Sequence, residues 1–143
     1  MAIRFNEKDV REMGRNAMGV KAITLKEDDV VVAMDLVEEG KHLLVISEFG
    51  FGKRTPLDEY RAQNRGGVGL KTYNVKKKTG NLVSAKVIDE NDEIMMISMS
   101  GIIIRLKTKD VSIMGRSTQG VTLMKINNED DKVMAVAKYV EEE

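Results

Sequence analysis

Three short segments of the sequence combine an arginine with closely spaced glycines. They read GRNAMGVK at 14–21, NRGGVGLK at 64–71 and GRSTQGVT at 115–122. An arginine side chain can donate to phosphate oxygens, and glycines let backbone amides come close to a phosphate. Such segments therefore predict contacts to a polyanion that do not depend on its sequence. The glycines predicted to admit this approach are Gly66, Gly67 and Gly69, which would equally suit a plain tight turn between strands.

The arginines of these segments form one of two sets that recur at a constant spacing. Arg15, Arg65 and Arg116 lie 50 and 51 residues apart, and a second set with the same spacing is Arg4, Arg54 and Arg105. Equivalent residues of a structural repeat occupy equivalent positions, so we expect a track of cations along one outward-curving edge. Four further cations are predicted to flank this track: Lys53, Arg61, Lys71 and Lys107. For any one of these cations, the alternative is a solvated surface charge.

Charge is distributed unevenly along the chain although its total is zero, with 23 Lys and Arg against 23 Asp and Glu. Residues 1–52 have a net charge of −3 (seven cations, ten acids) and residues 53–103 one of +3 (nine cations, six acids). Residues 104–143 are neutral, with seven of each. Because neutralisation of phosphates dominates nonspecific nucleic-acid binding, we expect the middle third to bind a nucleic acid best.

Other chemistries lack the residues that they need. The chain has no cysteine and a single histidine, His42, so disulfides, metal sites and a serine nucleophile activated by histidine are not expected. The acidic pairs fall in predicted turns and lack the spacing of a calcium-binding loop. No glycine-rich nucleotide-binding motif is present. We therefore predict no catalytic residue, no metal and no cofactor.

Short β-branched runs separated by turn residues connect the glycine–arginine segments and predict strands. These runs are residues 30–34, 43–46, 82–87, 94–97 and 102–104. Residues 38–41 and 89–92 each fall between two runs and are predicted turns. Only residues 7–13 hint at helical spacing, which Gly14 ends. The predicted fold class is therefore all-β.

The sequence repeats itself throughout, since the last glycines of the three segments, at 19, 69 and 120, are 50 and 51 residues apart. Matches outside the segments include Val31 and Ala33 with Val83 and Ala85, and these with Val133 and Ala135. A repeat of this length with four short strands is typical of a propeller blade. We expect a partial ring of three four-stranded blades cut from a longer array. Its units would be residues 1–52, 53–103 and 104–143.

One segment resembles a known motif. Residues 63–69, QNRGGVG, are similar to the Q-R-R-G-G-K-G box that marks the C-terminal domain of the DNA gyrase A protein. Residues 51–56 and 59–61 resemble a later blade of that domain, and residues 13–20 and 115–121 resemble the degenerate box of its other blades. The resemblance covers all three units and points to the last three of six blades.

The resemblance implies a β-pinwheel, a propeller variant in which neighbouring blades exchange strands. It also implies a non-catalytic domain that wraps duplex DNA around its rim, so that the full type II topoisomerase can introduce negative supercoils with ATP. The implied partners are double-stranded DNA, the ATPase subunit that holds the nucleotide, and the remainder of the gyrase A protein. The implied location is the bacterial cytoplasm.

The segment departs from the box at two cation positions. Asn64 stands where the box has Arg, and Val68 where it has Lys, which leaves Arg65. This pattern fits an accessory stretch of the wrapping path better than its anchor. Two alternatives remain open: the C-terminal domain of topoisomerase IV, whose box is more eroded, and a propeller fragment that docks proteins.

The expected surroundings of the chain are a reducing cytoplasm and no membrane. No apolar run approaches the ~20 residues of a membrane span, and the N-terminus does not resemble a secretory signal. Three blades of a longer ring would expose two apolar side walls. Such walls predict that two copies of the chain could form a homodimer through their open blade faces.

Overall fold

The computed structural model describes residues 1–139, which contain seven β-strands and three short 3-10 helices. The strands are β1 His42–Ser47, β2 Phe51–Pro56, β3 Leu82–Ile88, β4 Glu93–Ser98, β5 Ile103–Lys107, β6 Val121–Thr122 and β7 Val133–Tyr139. The 3-10 helices are Glu7–Asp9, Leu57–Glu59 and Thr108–Asp110, which recur at the repeat spacing. The all-β prediction is confirmed, and the hint of helical spacing over residues 7–13 corresponds to the first 3-10 helix.

The strands form two antiparallel sheets, in the orders β3-β1-β2-β6 and β5-β4-β7. Each sheet is built on a hairpin, β1–β2 or β4–β5, that pairs with the next long strand, β3 or β7. Ser47 pairs with Leu82 and Ser98 with Val133, so Val133 is the counterpart of Leu82. The sequence match of Val83 to Val133 is therefore wrong by one residue.

Successive units exchange their edges. β6 pairs with β2 of the unit before it, through Gly52 and Val121. At the N-terminus, Ala2 forms the corresponding bridge with Leu70. Parallel bridges follow the same pattern, from Arg4 to Ala62 and from Arg54 to Ile113. The edge of each unit is thus completed by the unit that follows, as expected for a β-pinwheel.

The first unit differs from the expected four-stranded blade. Residues 1–41 form isolated bridges and one 3-10 helix but no strand, so the structure has one four-stranded and one three-stranded sheet where three blades of four were predicted. Residues 30–34 are exposed, with Val30 67% and Met34 92% accessible. Their counterparts β3 and β7 pair with β1 and β4, and within residues 1–139 no strand offers residues 30–34 such a partner. High β-propensity alone does not form a strand without one.

The hydrophobic core lies between the two sheets. Leu44 and Ile46 of β1 pack with Ile94 and Met96 of β4, and all four are at most 1% exposed. Because side chains alternate along a strand, the other face of the second sheet points away from this core. That face carries a row of apolar side chains, which we call the end wall: Met95, Ile97, Ile103, Ala135 and Ala137.

Candidate nucleic-acid interface

The three glycine–arginine segments follow the three 3-10 helices, and the third segment ends in β6. We call residues 10–22, 61–71 and 112–122 the first, second and third rim loops. The third rim loop runs beside β2, where the Arg54 N–H donates to the Ser112 carbonyl at 3.1 Å and the Met114 N–H to the Arg54 carbonyl at 2.9 Å. The second rim loop runs beside residues 2–4 in the same manner.

Backbone hydrogen bonds join consecutive rim loops, either directly or through residues just beyond the end of the loop. The Gly66 N–H donates to the Ala22 carbonyl at 2.8 Å, and the Thr24 N–H donates to the Gly67 carbonyl at 2.8 Å. Between the next two units, the Asn74 N–H donates to the Thr118 carbonyl at 3.0 Å. The three loops therefore form one continuous surface across all three units.

Positive charge is concentrated on this surface. The three rim loops carry seven of the 23 Lys and Arg but only one of the 23 Asp and Glu, Glu12. The chain as a whole is neutral, so the acids are segregated away from the loops. Cations spaced along a continuous edge can meet successive phosphates, which is the requirement for binding a nucleic acid by its backbone.

The predicted site residues fall into three groups. Those that are exposed are Arg15, Arg61, Gly67, Lys71, Arg105 and Lys107. Those that are half-buried are Arg4, Arg65, Gly66, Gly69 and Arg116. Lys53 and Arg54 are buried. Arg105 and Lys107 lie on β5 and not in a rim loop, so the structure does not bring them together with the others.

Two exposed rim cations are absent from the set predicted from the sequence. Arg11 lies 50 residues before Arg61, and Lys21 lies 50 residues before Lys71. Both are exposed in the first rim loop. The repeat spacing was the signal that could have identified them, because their counterparts in the second unit are predicted site residues.

Two members of the predicted ring of Arg4, Arg54 and Arg105 bind carbonyls within the protein. The Arg54 guanidinium is 6% exposed and donates to the carbonyls of Val111 at 2.7 Å and Lys109 at 3.2 Å. The Arg4 guanidinium makes similar contacts, to the carbonyls of Leu57 at 3.1 Å and Tyr60 at 3.2 Å, of which Tyr60 is the counterpart of Val111. These acceptors belong to the 3-10 helix of the following unit and to the residue just after it. Arg54 is therefore an internal link between units, and the prediction that it lies on the outer surface is wrong.

Arg105 differs from its two counterparts. It forms an ion pair with Glu93 and lies over the Tyr139 ring, with its guanidinium carbon 3.9 Å from the ring centroid. Its side chain thus lies across the end wall. Of the three arginines, none projects from a rim loop.

Lys53 was predicted on the surface but is completely buried under the third rim loop. Its ammonium donates to the carbonyls of Gly115 and Arg116, both at 2.7 Å, and to the Thr118 carbonyl at 3.0 Å. It also lies 5.4 Å from the centre of the Tyr73 ring. Burial lowers the pKa of Lys53 to about 8, although the nearby Glu59 carboxylate opposes this shift. Its donors are committed to the loop, so the prediction that it flanks an exposed track is also wrong.

The arginines of the glycine–arginine segments, Arg15, Arg65 and Arg116, differ in exposure. Arg15 is exposed, whereas Arg65 and Arg116 are half-buried. The Arg65 guanidinium donates to the carbonyls of Asp9, at 3.1 Å, and Lys21. Arg116 donates to the carbonyl of Lys71 at 3.1 Å. Both arginines therefore contact the backbone of the preceding unit.

The glycines of the rim loops have packing roles. Gly69 has φ +80°, and a Cβ added there would lie 2.3 Å from the Ala2 carbonyl oxygen. Gly120 has φ +78°, and its Cβ would lie 2.4 Å from the Gly52 carbonyl oxygen. Only glycine permits this close approach of two backbones. Gly67 is different, because its nearest neighbour would be 3.6 Å from an added Cβ.

Residues 1–139 contain neither a membrane-spanning helix nor a cluster of metal ligands. No helix there is long and apolar enough to cross a membrane. No group of three or more His, Cys, Asp or Glu side chains in the same residues could hold a metal ion.

Sequence comparison relates the whole chain to one family. A family model described as the DNA gyrase C-terminal domain, a β-propeller, matches residues 1–38, 41–89 and 92–138. The chain is 46% identical over 140 residues to the DNA gyrase A protein of Ureaplasma parvum, covering 97% of the chain and 17% of the relative. It is 44% identical over 143 residues to the gyrase A protein of Staphylococcus epidermidis, covering 99% and 16%. The chain thus spans about one sixth of the length of these relatives.

Solved structures show the same fold. The chain is similar to a DNA gyrase A C-terminal domain, with a TM-score of 0.88 and 33% identity over 95% of this chain and 46% of that one. It is also similar to the C-terminal domain of a DNA topoisomerase IV, with a TM-score of 0.85 and 24% identity over 94% and 42%. The second likeness concerns the fold alone.

Proposed function

This chain belongs to the DNA gyrase C-terminal domain family, and on that premise we propose that its rim loops bind duplex DNA through the phosphates, without reading the base sequence. In the full-length gyrase A protein, such binding would bend DNA along the rim and support ATP-dependent negative supercoiling by the type II topoisomerase. The proposed partners, in the bacterial cytoplasm, are the remainder of the gyrase A protein and the ATPase protein of the enzyme. This chain would supply DNA contacts and no catalytic group.

The segregation of charge supports this proposal above all. Seven cations and one acid occupy three loops that hydrogen bonds join into one surface, on a chain of zero net charge. Five of these cations are exposed: Arg11, Arg15, Lys21, Arg61 and Lys71. We assign the phosphate contacts to these five, because Lys53 and Arg54 are buried and use their donors within the protein.

The two alternatives have weaker support. Sequence identity of 42–46% to gyrase A proteins favours gyrase over topoisomerase IV, whose domain shares the fold at 24% identity. A protein-docking role is supported by the exposed end wall, where Ile103 is 56% accessible. Docking at that wall and DNA binding at the rim use different surfaces, so a DNA titration separates them.

The test is a titration of the chain with two unrelated duplexes of equal length, at salt concentrations from about 50 to 200 mM. We expect equal affinity for both duplexes and a linear fall of log K with log salt. Each phosphate contact contributes about 0.9 to this slope, so five contacts predict a slope of about −4.5. Absence of binding at the lowest salt concentration would overturn the proposed function.

Two charge-matched variants identify the surface. Arg61→Gln/Lys71→Gln removes two rim cations, and Lys86→Gln/Lys138→Gln removes two cations from β3 and β7, at the far edges of the sheets. The rim variant should lose about 1.8 from the salt slope, and the other variant should keep the wild-type slope. Equal losses from both variants would contradict an interface confined to the rim loops.

A further inference from the structure

The two half-buried rim arginines make the same contact at successive junctions between units. Arg65 donates to the carbonyl of Lys21, and Arg116 donates to the carbonyl of Lys71 at 3.1 Å. Arg65 and Arg116 are 51 residues apart, and Lys21 and Lys71 are 50 apart. The same interaction is therefore present twice, each time between a rim loop and the end of the rim loop before it.

Each held carbonyl belongs to an exposed lysine. Lys21 and Lys71 are among the five rim cations, and their side chains can face solvent while their backbone is fixed. At the first junction the Arg65 side chain also holds the Asp9 carbonyl at 3.1 Å, so it spans both ends of the first rim loop. A guanidinium has five N–H donors in a rigid fork, which suits it to joining two fixed acceptors.

The rim loops that carry these arginines are themselves fixed. The carbonyl of Arg116 accepts from the buried Lys53 ammonium at 2.7 Å, and the Gly66 N–H beside Arg65 donates to Ala22 at 2.8 Å. Each arginine thus extends from a fixed backbone to the backbone of the preceding unit. An arginine held in this way fixes the backbone of the preceding rim loop relative to its own.

We infer that Arg65 and Arg116 are positioning residues, which act by holding Lys21 and Lys71 in place to meet phosphates and do not bind phosphate themselves. This inference rests on the proposed function of the rim. Arg65, the arginine that this chain shares with the box of the gyrase family, then connects two units. The contact with DNA is made by Lys21, the exposed lysine of the preceding rim loop.

A double-mutant cycle on the full chain tests the inference. Lys21→Gln should lower the slope of log K against log salt by about 0.9. Arg65→Gln should lower it by no more than this, and Lys21→Gln/Arg65→Gln should match Lys21→Gln alone. Arg65→Lys, which keeps the charge but loses the fork, should resemble Arg65→Gln. Additive losses, reaching about 1.8 in the double variant, would show that Arg65 meets phosphate directly and would overturn the inference.

A second measurement does not depend on DNA. In the free chain, Arg65→Gln should speed hydrogen exchange of the Gly66 and Thr24 amides, which bond across the first junction, and leave the Asn74 amide unchanged. Arg116→Gln should do the reverse. Unchanged exchange at the matching junction would overturn the inference and leave the proposed function standing. Absence of DNA binding by the wild-type chain would instead overturn the proposed function, and with it the role of these arginines in placing lysines against phosphate.

Discussion

A buried ammonium is costly unless its donors are satisfied, and Lys53 satisfies them with a loop 62–65 residues later in the chain. Its counterparts one repeat before and after are Ile3 and Ile104. Apolar residues at the same register indicate a buried position, so the sequence held a sign that Lys53 is internal. The identity of its acceptors could not be predicted, because the fold brings them from a distant loop.

The buried Lys53 should make stability depend on pH. Lys53→Met leaves the acceptors of the third rim loop without a donor, and we expect it to lower the free energy of unfolding at pH 7 by about 1–3 kcal/mol. Burial lowers the pKa of Lys53 in the folded chain to about 8, against 10.5 for an unperturbed lysine. Between these values the unfolded chain binds more protons, so the stability of the wild type rises with pH. Urea unfolding should show the gap between wild type and Lys53→Met widening by about 1–2 kcal/mol from pH 7 to about pH 9.5.

The matched control for this comparison is Lys86→Met, on β3. Lys86→Met should cost less than Lys53→Met at pH 7, because Lys86 donates to none of the third rim loop's carbonyls. The range ends below about pH 10 because burial raises the pKa of Tyr60 and Tyr73, whose ionisation would then act in the opposite direction. A constant gap between wild type and Lys53→Met would contradict the assigned role of Lys53.

At the scale of the elements, the rim loops depend on glycine for two separable reasons, positive φ and close packing. Gly120 has both, since its φ is +78° and an added Cβ would lie 2.4 Å from the Gly52 carbonyl oxygen. Gly19 has only the positive φ, +82°, with open space around it. Gly67 has neither. The three positions therefore form a graded series.

Alanine substitution should follow that series. We expect Gly120→Ala to cost more than about 3 kcal/mol or to prevent folding, because two backbones must separate. Gly19→Ala should cost about 1–2 kcal/mol from the left-handed conformation alone. Gly67→Ala should stay within about 0.5 kcal/mol of wild type. Thermal unfolding followed by circular dichroism measures all three, and a Gly67→Ala variant as unstable as Gly120→Ala would refute the assignment.

Sequence periodicity identified the repeating elements but could not give the direction of their side chains. Arginines on the surface and arginines that link two units recur with the same spacing in the sequence. Arg4 and Arg54 were therefore predicted on the surface, although they bind carbonyls of the next unit. Strand prediction succeeded for β1, β3 and β4. It began β5 one residue early and ended it three residues early, and it missed β2, β6 and β7. It failed for residues 30–34, because a strand also needs a partner and propensity does not report one.

At the scale of the whole molecule, the end wall is the main apolar surface left uncovered on the second sheet. Ile103 is 56% exposed, and Met99, just after β4, and Met134, in β7, are 61% and 63% exposed. At the other end, residues 30–37 expose further apolar side chains, including Leu36 at 74%. Exposed apolar side chains in such numbers favour contact with another protein surface.

We therefore expect the isolated chain to self-associate through these ends. Light scattering should give a mass that rises with concentration toward that of two copies. Ile103→Glu, at the end wall, should reduce association, whereas Val68→Glu, at an equally exposed position of the second rim loop, should not. A monomeric mass at every concentration would rule out the homodimer.

The exchange of edges between units limits how the domain can be shortened. Truncation before residue 111 would disturb more than the last unit, because β2 would lose its pairing with β6 and the Arg54 guanidinium would lose its acceptor at Val111. Damage at the C-terminal side would thus propagate backward into a unit whose own residues are intact. Gain or loss of a whole repeat preserves the strand pairing and the arginine contacts between successive units. Changes in the number of repeats are therefore better tolerated than partial deletions.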